Sequence, residues 1–451
     1  MRRTPGNNLG ARAAPPPTVK PAIQRFAIFN LGLSLMRVVY LNPSGKIGGA
    51  ESSLLDVLAS LSSTKPDWSL RLVMASDGPL GERAESLGVP ATVVPFPPAL
   101  ARLGDAGAGG PAGRRVGQLS LLLRLLYASP AVNSYRRQLQ RELRRLNPDV
   151  IHTNGFKMHV LGIWSRPTGV PVVWHIHDYV STRPIMARLL RRYSNRCAAV
   201  VTNSKSVSRD VRRVCDNGLK VYSVYNAVDL TRFSPDGTSL DLDSIAGLDP
   251  AEPGTLKVGL MATLGRWKGH EVFLKALSLL PSGAKVRGYV IGGALYQTDG
   301  SQHALEDLRE YAVRLGIEER VGFTGFVNEP AAAIRALDIV VHASTQPEPF
   351  GLVIVEAMAC GRPVIASLAG GVGEIVEAGE NALVHEPGDA AGLAKSIERL
   401  ATDVVLRGRL AGAGRATAEL RFDRDRLAAE LIPIYESLGT PDFQTHEQVS
   451  R

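Results

Sequence analysis

Short aliphatic and β-branched runs alternate with helical stretches along most of this chain, and that alternation limits the fold more than any other feature. The runs fall at residues 36–41, 71–75, 91–95, 148–155, 172–178, 200–204 and 221–229, then at 257–261, 288–293, 321–327, 336–342, 361–366 and 384–389. Strands that alternate with helices build parallel sheets wound on both faces. A polar, Pro- and Asp-rich stretch over 234–254 reads as a linker between the two sets. At 451 residues the chain is too long for one core and fits two α/β domains.

Composition narrows the class. Hydrophobic content of 45% and charged content of 21% describe a soluble globular protein. The apolar run at 119–123 is broken by Arg124, well short of a membrane span. Cys197, Cys215 and Cys360 are odd in number and form no Cys-x-x-Cys pair, which argues against a disulfide framework or zinc site and for a reducing, cytoplasmic compartment. Residues 36–233 carry 27 Lys/Arg against 13 Asp/Glu, whereas residues 234–451 carry 20 against 30. A basic first half is thus joined to an acidic second half. Residues 1–35, with five Lys/Arg and no acid, read as disordered or as an upstream extension, with Met36 a candidate start and no small-residue cleavage site for a signal peptide.

The stretch with the strongest chemical content is 346–373. Gln346-Pro347-Glu348-Pro349-Phe350-Gly351 is a loop stiffened by two prolines, and the apolar run 352–360 that follows reads as a buried helix closed by Gly361. Free amides in the first turn of such a helix bind oxygen-rich or anionic groups. Glu348 and Glu356 bracket that turn at a spacing of a little over two helical turns, so Glu356 is expected on the side that Glu348 overhangs, each gripping neighbouring hydroxyls. An ordinary strand-to-helix connection is the competing reading.

Other polar groups sit where parallel strands end, at the edge where such sheets take their ligands. His152 and Asn154, with Lys157 just beyond, close one strand, and His175, His177 and Asp178 close the next; His175 also reads as a core residue. Gly48 and Gly49 open a helix after the first strand and permit close backbone approach to a phosphate or sugar; a plain tight turn is the alternative. Ser44-Gly45-Lys46 is not a P-loop, because Tyr40 stands where that motif needs glycine. The region 97–118 is a Pro/Gly/Ala loop expected to overhang the acceptor side. The helix after it, about 119–146, interleaves Arg124, Arg136, Arg137, Arg141, Arg144 and Arg145 with leucines, which suits either an anionic surface or a solvated face.

Glu348-Pro349-Phe350-Gly351 before a glutamate-bearing helix, followed by the 361–366 strand and Gly370-Gly371-Val372-Gly373-Glu374, resembles the donor site of the retaining nucleotide-sugar glycosyltransferases of family four. Gly48-Gly49-Ala50-Glu51 after the first strand agrees, and the resemblance covers about 36–438. It implies the GT-B fold, two Rossmann-like domains facing across a cleft: 36–233 for the acceptor, 234–422 for the nucleotide sugar, a returning helix at 423–438 and a tail at 439–451. It further implies donor contacts from Gly48, Gly49, Arg266, Lys268, Glu348, Phe350, Gly351, Leu352 and Glu356. Lys268 would meet the diphosphate, Glu348 and the amides of 350–352 the sugar, Glu356 the ribose, and His177 the donor sugar from the first domain. His152, Asn154 and Lys157 are assigned to the acceptor.

Two positions depart from the family pattern. Ala227 replaces the hinge glycine, and Gly265-Arg266 falls three residues late when Trp267-Lys268-Gly269 is aligned, which leaves the role of Arg266 open. The implied reaction is retaining transfer of a hexose from a UDP- or GDP-sugar to a hydroxyl acceptor such as a lipid-linked or cell-envelope glycan. No cofactor or metal is called for, since no acidic pair resembling a metal-binding Asp-x-Asp is evident between paired strands. The expected site of action is the cytoplasm, peripherally at the inner face of an anionic membrane. A sugar-nucleotide 2-epimerase or a phosphorylase shares the fold, though no lysine motif for pyridoxal phosphate stands out. A non-catalytic binding module is a further rival. The high pI invites a nucleic-acid-binding reading, and an aromatic content of 6% without a nucleic-acid motif opposes it.

Overall fold

The computed structural model describes residues 35–101, 114–215, 218–293 and 302–439. The readings made for 1–34, 102–113 and 440–451 lie outside the described residues. Within them, β1 (Arg37–Asn42), β2 (Ser69–Met74), β3 (Ala91–Val93), β4 (Val150–Asn154), β5 (Val172–Ile176), β6 (Ala199–Thr202) and β7 (Val221–Ser223) form one parallel sheet in the order β3-β2-β1-β4-β5-β6-β7. A second parallel sheet takes β8 (Leu256–Met261), β9 (Val286–Ile291), β10 (Val321–Gly325), β11 (Ile339–His342), β12 (Val364–Ser367) and β13 (Leu383–His385) in the order β10-β9-β8-β11-β12-β13. Both sheets are the doubly wound α/β type, and the strand order reverses at β1/β4 in one and at β8/β11 in the other. Those reversals open the crevices where parallel sheets hold ligands.

The central strands are buried on both faces, as a helix-covered parallel sheet requires, while β3 and β7 at the edges of the first sheet are partly exposed. In the first sheet Val39, Leu41, Ile151 and Trp174 face one core, while Val38, Tyr40, Val150 and Val173 face another. The long Arg114–Leu146 helix contributes Tyr135, Leu139 and Leu143 to the former at a four-residue spacing, leaving Arg137, Arg141, Arg144 and Arg145 exposed. Over residues 130–146 the basic helix is therefore amphipathic, with these four arginines in solvent.

The final helix, Arg426–Gly439, lies against the first sheet, where Leu427, Ala428, Leu431 and Tyr435 join the core with the Gly49–Thr64 helix. Its entry is tied to the crossing segment: Val228 N–H donates to Phe422 at 2.8 Å, Arg424 N–H donates to Val228 at 3.1 Å, and the Arg424 guanidinium pairs with Asp229 at 2.7 Å. The 234–254 stretch differs from a loose linker. It contains the helix Leu242–Ala246, capped by Asp241 and closed by left-handed Gly247, and buries Asp243. Asp243 accepts from Lys257 at 2.9 Å and Arg287 at 2.7 Å, which pins the segment beneath β8 and β9. A buried carboxylate is stable there because two cations and the Tyr289 hydroxyl satisfy it.

Candidate active site

The turn after β11 and the helix Leu352–Ala359 form the centre of the second crevice. Gly351 takes φ 103°, a left-handed conformation that favours glycine, and so turns the chain into the helix. The Phe350 ring is buried against Phe422 and Tyr225, with centroids at 5.8 Å and 6.2 Å. Its side chain is an anchor, so only its backbone is placed to meet a ligand. The first amides of the helix lack acceptors within the helix, as at any N-terminus.

Glu348 is held from three sides. Lys268 Nζ lies 2.9 and 2.8 Å from its two oxygens, Ser344 Oγ donates at 2.8 Å, and His342 Nε2 stands at 3.4 Å. Burial works against ionisation of this carboxyl, yet Lys268 and His342 hold it well below the usual carboxylate range. Lys268 ends a 3-10 turn, Arg266–Lys268, followed by left-handed Gly269. A side chain at Gly269 would collide with the Ala343 carbonyl, so glycine lets this turn lie flat on the tip of β11. The Trp267 carbonyl accepts from Thr345 N–H at 2.8 Å. The turn after β8 and the turn after β11 are thereby laced into one cationic and anionic pair. Arg266 is exposed on the same turn, with His303 in its electrostatic reach.

Glu356 has different company. Burial pushes its carboxyl up to about 7, and Arg232 is the cation that opposes the shift. It is electrostatically coupled to Asp56 on the Gly49–Thr64 helix, whose carboxyl is pushed up to about 8 by burial, with Arg424 and Arg232 opposing and Asp229 and Glu356 adding to the rise. The two glutamates of the motif therefore sit in separate charge environments, Glu348 with Lys268 and Glu356 with the crossing segment.

In the first crevice a relay of hydrogen bonds leads from the glycine turn to His177. Gly48 N–H donates to Glu51 at 3.1 Å, Asn42 Nδ2 donates to Glu51 at 3.3 Å, Asn154 Nδ2 donates to Asn42 Oδ1 at 3.0 Å, and Asn154 Oδ1 lies 2.7 Å from His177 Nε2. The Asn154 amide is oriented by donating also to the Ala50 carbonyl at 3.4 Å, so the His177 proton sits on Nε2 and Nδ1 is left as an acceptor. Burial lowers the His177 pKa to about 4, which keeps the ring neutral. Gly49 opens the helix with nothing within 4 Å of where a Cβ would stand, leaving room on that side for a ligand. Tyr179, two residues past His177, donates to the Glu348 carbonyl at 3.3 Å. The tip of β5 and the turn at Glu348 thus face one another.

Two of the residues assigned to the acceptor lie in the core. His152 is fully buried, its Nδ1 2.8 Å from the Tyr435 hydroxyl and its ring 5.0 Å from Tyr40, because an inward position on a central strand points into the core. Asn154 is also fully buried and serves to orient His177. Lys157 donates to the Leu100 carbonyl at 3.1 Å and lies over the Phe96 ring at 5.6 Å, so it bridges to the segment before residue 102.

The signature described as glycosyltransferase family 4 matches residues 47–232, and that described as glycosyl transferases group 1 matches residues 250–417. The lipopolysaccharide core biosynthesis mannosyltransferase LpsB of Rhizobium meliloti is 30% identical over 305 residues, covering 62% of this chain and 83% of that protein. The chain belongs to the group 1 glycosyltransferases of family 4. Another member, a D-inositol 3-phosphate glycosyltransferase of Xylanimonas cellulosilytica, is 32% identical over 248 residues; the match takes in 52% of this chain and 56% of that protein, little more than half its length. Among solved structures, Anabaena HepE in complex with UDP and glucose superposes with a TM-score of 0.68 at 26% identity, covering 89% of this chain and all of that one.

Several residues of this candidate site carry no signal in the sequence. His342 and Ser344 hold Glu348 but belong to an apolar strand and a short turn, where nothing marks them. Asn42 was findable, since it ends β1 as Asn154 ends β4 beside it.

Proposed function

We propose that this glycosyltransferase moves a hexose from a UDP- or GDP-sugar to a hydroxyl acceptor, probed first as a lipid-linked or cell-envelope glycan, with retention of configuration. The observation that carries the reading is the Lys268–Glu348 pair at the mouth of the Leu352–Ala359 helix. An ammonium and free helix amides provide for a leaving diphosphate, and a carboxylate whose charge is maintained by Lys268 and His342 provides for sugar hydroxyls. Glu356 takes the ribose. His177, neutral and with Nδ1 buried without a partner, closes the pocket from the first sheet. The reaction runs as front-face substitution: the bond from the anomeric carbon to the diphosphate breaks as that from the acceptor oxygen forms, and the leaving phosphate takes the acceptor proton. Lys268, shared with Glu348, and the helix amides together offset the departing charge, so no metal ion is called for. HepE, solved with UDP and glucose, favours UDP as the first donor to try.

LpsB in lipopolysaccharide core synthesis supports an envelope acceptor. Among the described residues no helix is long and apolar enough to cross a membrane, and the exposed arginines of the Arg114–Leu146 helix suit peripheral contact with an anionic cytoplasmic surface. The test is nucleotide release from a panel of UDP- and GDP-sugars, with and without EDTA. Turnover that persists in EDTA and drops at least a hundredfold in Lys268→Ala is expected. Absence of nucleotide release from every donor, or full activity in Lys268→Ala, rejects the reading.

A further inference from the structure

We propose that Glu374 and Tyr179 form a clasp that seats the donor turn against the first sheet, and that both are positioning residues for the transfer. Glu374 ends the 3-10 turn Gly371–Glu374 in the second half of the chain. Its carboxylate accepts from Lys205 N–H at 2.8 Å and Ser206 N–H at 2.7 Å, the first two amides of the helix Lys205–Val214 in the first half. The third amide, on Val207, donates to Ser204 Oγ at 3.1 Å. A helix start normally satisfied by its own chain or by water is here capped in large part by a carboxylate 168 positions away, where the positive end of the helix favours it.

Tyr179 adds a second tie. Its one hydroxyl proton goes to the Glu348 carbonyl at 3.3 Å, so the Ser206 hydroxyl, 2.9 Å away, donates to Tyr179. The same carbonyl accepts from Gly371 N–H at 2.7 Å. Ser206 thus bonds Glu374 through its amide and Tyr179 through its side chain, joining both turns of the donor pocket to one helix. Gly370 makes room for this: at φ 71° a Cβ there would stand 2.5 Å from the Tyr179 hydroxyl and collide with the Glu348 carbonyl. The Arg421 guanidinium stiffens the turn from behind by donating to the Glu374 carbonyl at 2.5 Å.

The clasp acts on the reaction through Glu348, whose carboxylate grips Lys268 from the turn that Tyr179 holds; it therefore rests on the proposed donor site. Glu374→Ala and Tyr179→Phe are compared with the native chain by small-angle scattering with and without UDP, by UDP calorimetry, and by donor kinetics. Charge-assisted bonds to amides are worth enough to expect a roughly tenfold to hundredfold fall in kcat/KM for Glu374→Ala and a smaller one for Tyr179→Phe, which keeps the ring. A larger radius of gyration is expected in both variants with no nucleotide present, and Glu374→Asp should recover part of each loss. Native radius of gyration and native kcat/KM in both variants overturn the clasp. Scattering without nucleotide reads the clasp even if UDP binds nowhere, an outcome that would remove the donor reading alone.

Discussion

Lys268 and Glu348 neutralise one another with side chains 23% and 13% exposed, enough burial that removing one partner leaves a costly charge behind. Glu348→Gln should lower stability by about 1–3 kcal/mol and abolish most turnover, whereas Lys268→Met with Glu348→Gln should recover stability but not activity; thermal unfolding and nucleotide release separate the two effects. The folded-state pKa of Glu348 is depressed, so its contribution is complete above the ordinary carboxylate range and lost as the pH falls below it. The buried histidines act higher on the scale. His152 and His177 are lowered to about 3 and about 4, so both are neutral in the folded chain while the unfolded chain takes up protons below about pH 6.5. The unfolded state then binds more protons, and stability falls with pH by about 1.4 kcal/mol per unit for each ring between those values. His152→Phe should therefore flatten the decline of Tm between pH 6.5 and 4.5, and an unchanged slope would rule the ring out as a contributor.

Glycine placement makes elements testable as units. Gly351 begins the Leu352–Ala359 helix at φ 103° with Ile354 Cδ1 3.0 Å from where a Cβ would be, so Gly351→Ala should cost about 1–3 kcal/mol and weaken UDP binding together, as read by thermal unfolding and calorimetry. Gly49 has open space instead, and Gly49→Ala should leave stability within about 0.5 kcal/mol of native. A loss of activity in that variant would report ligand contact at the helix start. Strands and the donor turn were legible in the sequence because burial on both sheet faces demands unbroken apolar runs and because prolines and glycines punctuate 346–373. What could not be read depends on distance in the chain. Glu348 meets Lys268 across 80 residues, and Asp56 meets the Glu356 environment only through the fold. The Leu242–Ala246 helix was hidden because a five-residue element carries no period, and Asp243 looks like any linker acid until Lys257 and Arg287 close on it. His152 and Asn154 show the converse: a polar residue at a strand tip can belong to the core when a tyrosine or a histidine bonds it there.

Charge divides the whole molecule into a basic first half and an acidic second half, and the two meet where Glu374 caps a helix of the basic side. The same asymmetry decides how the chain would lie on a membrane. Arg137, Arg141 and Arg144 are exposed on a helix whose other face is anchored by Tyr135, Leu139 and Leu143, so their charge can turn outward without loosening the core. Each basic residue near an anionic surface contributes about 1 kcal/mol, screened within a Debye length. Flotation with vesicles rich in phosphatidylglycerol should therefore carry the native chain at low salt and release it as salt is raised. Replacing these three arginines by glutamate should abolish flotation while leaving soluble-acceptor turnover intact, because none of them touches the donor pocket. Flotation unaffected by the triple replacement would move the contact to another basic surface, and no flotation at low salt would leave the positive half to the acceptor alone.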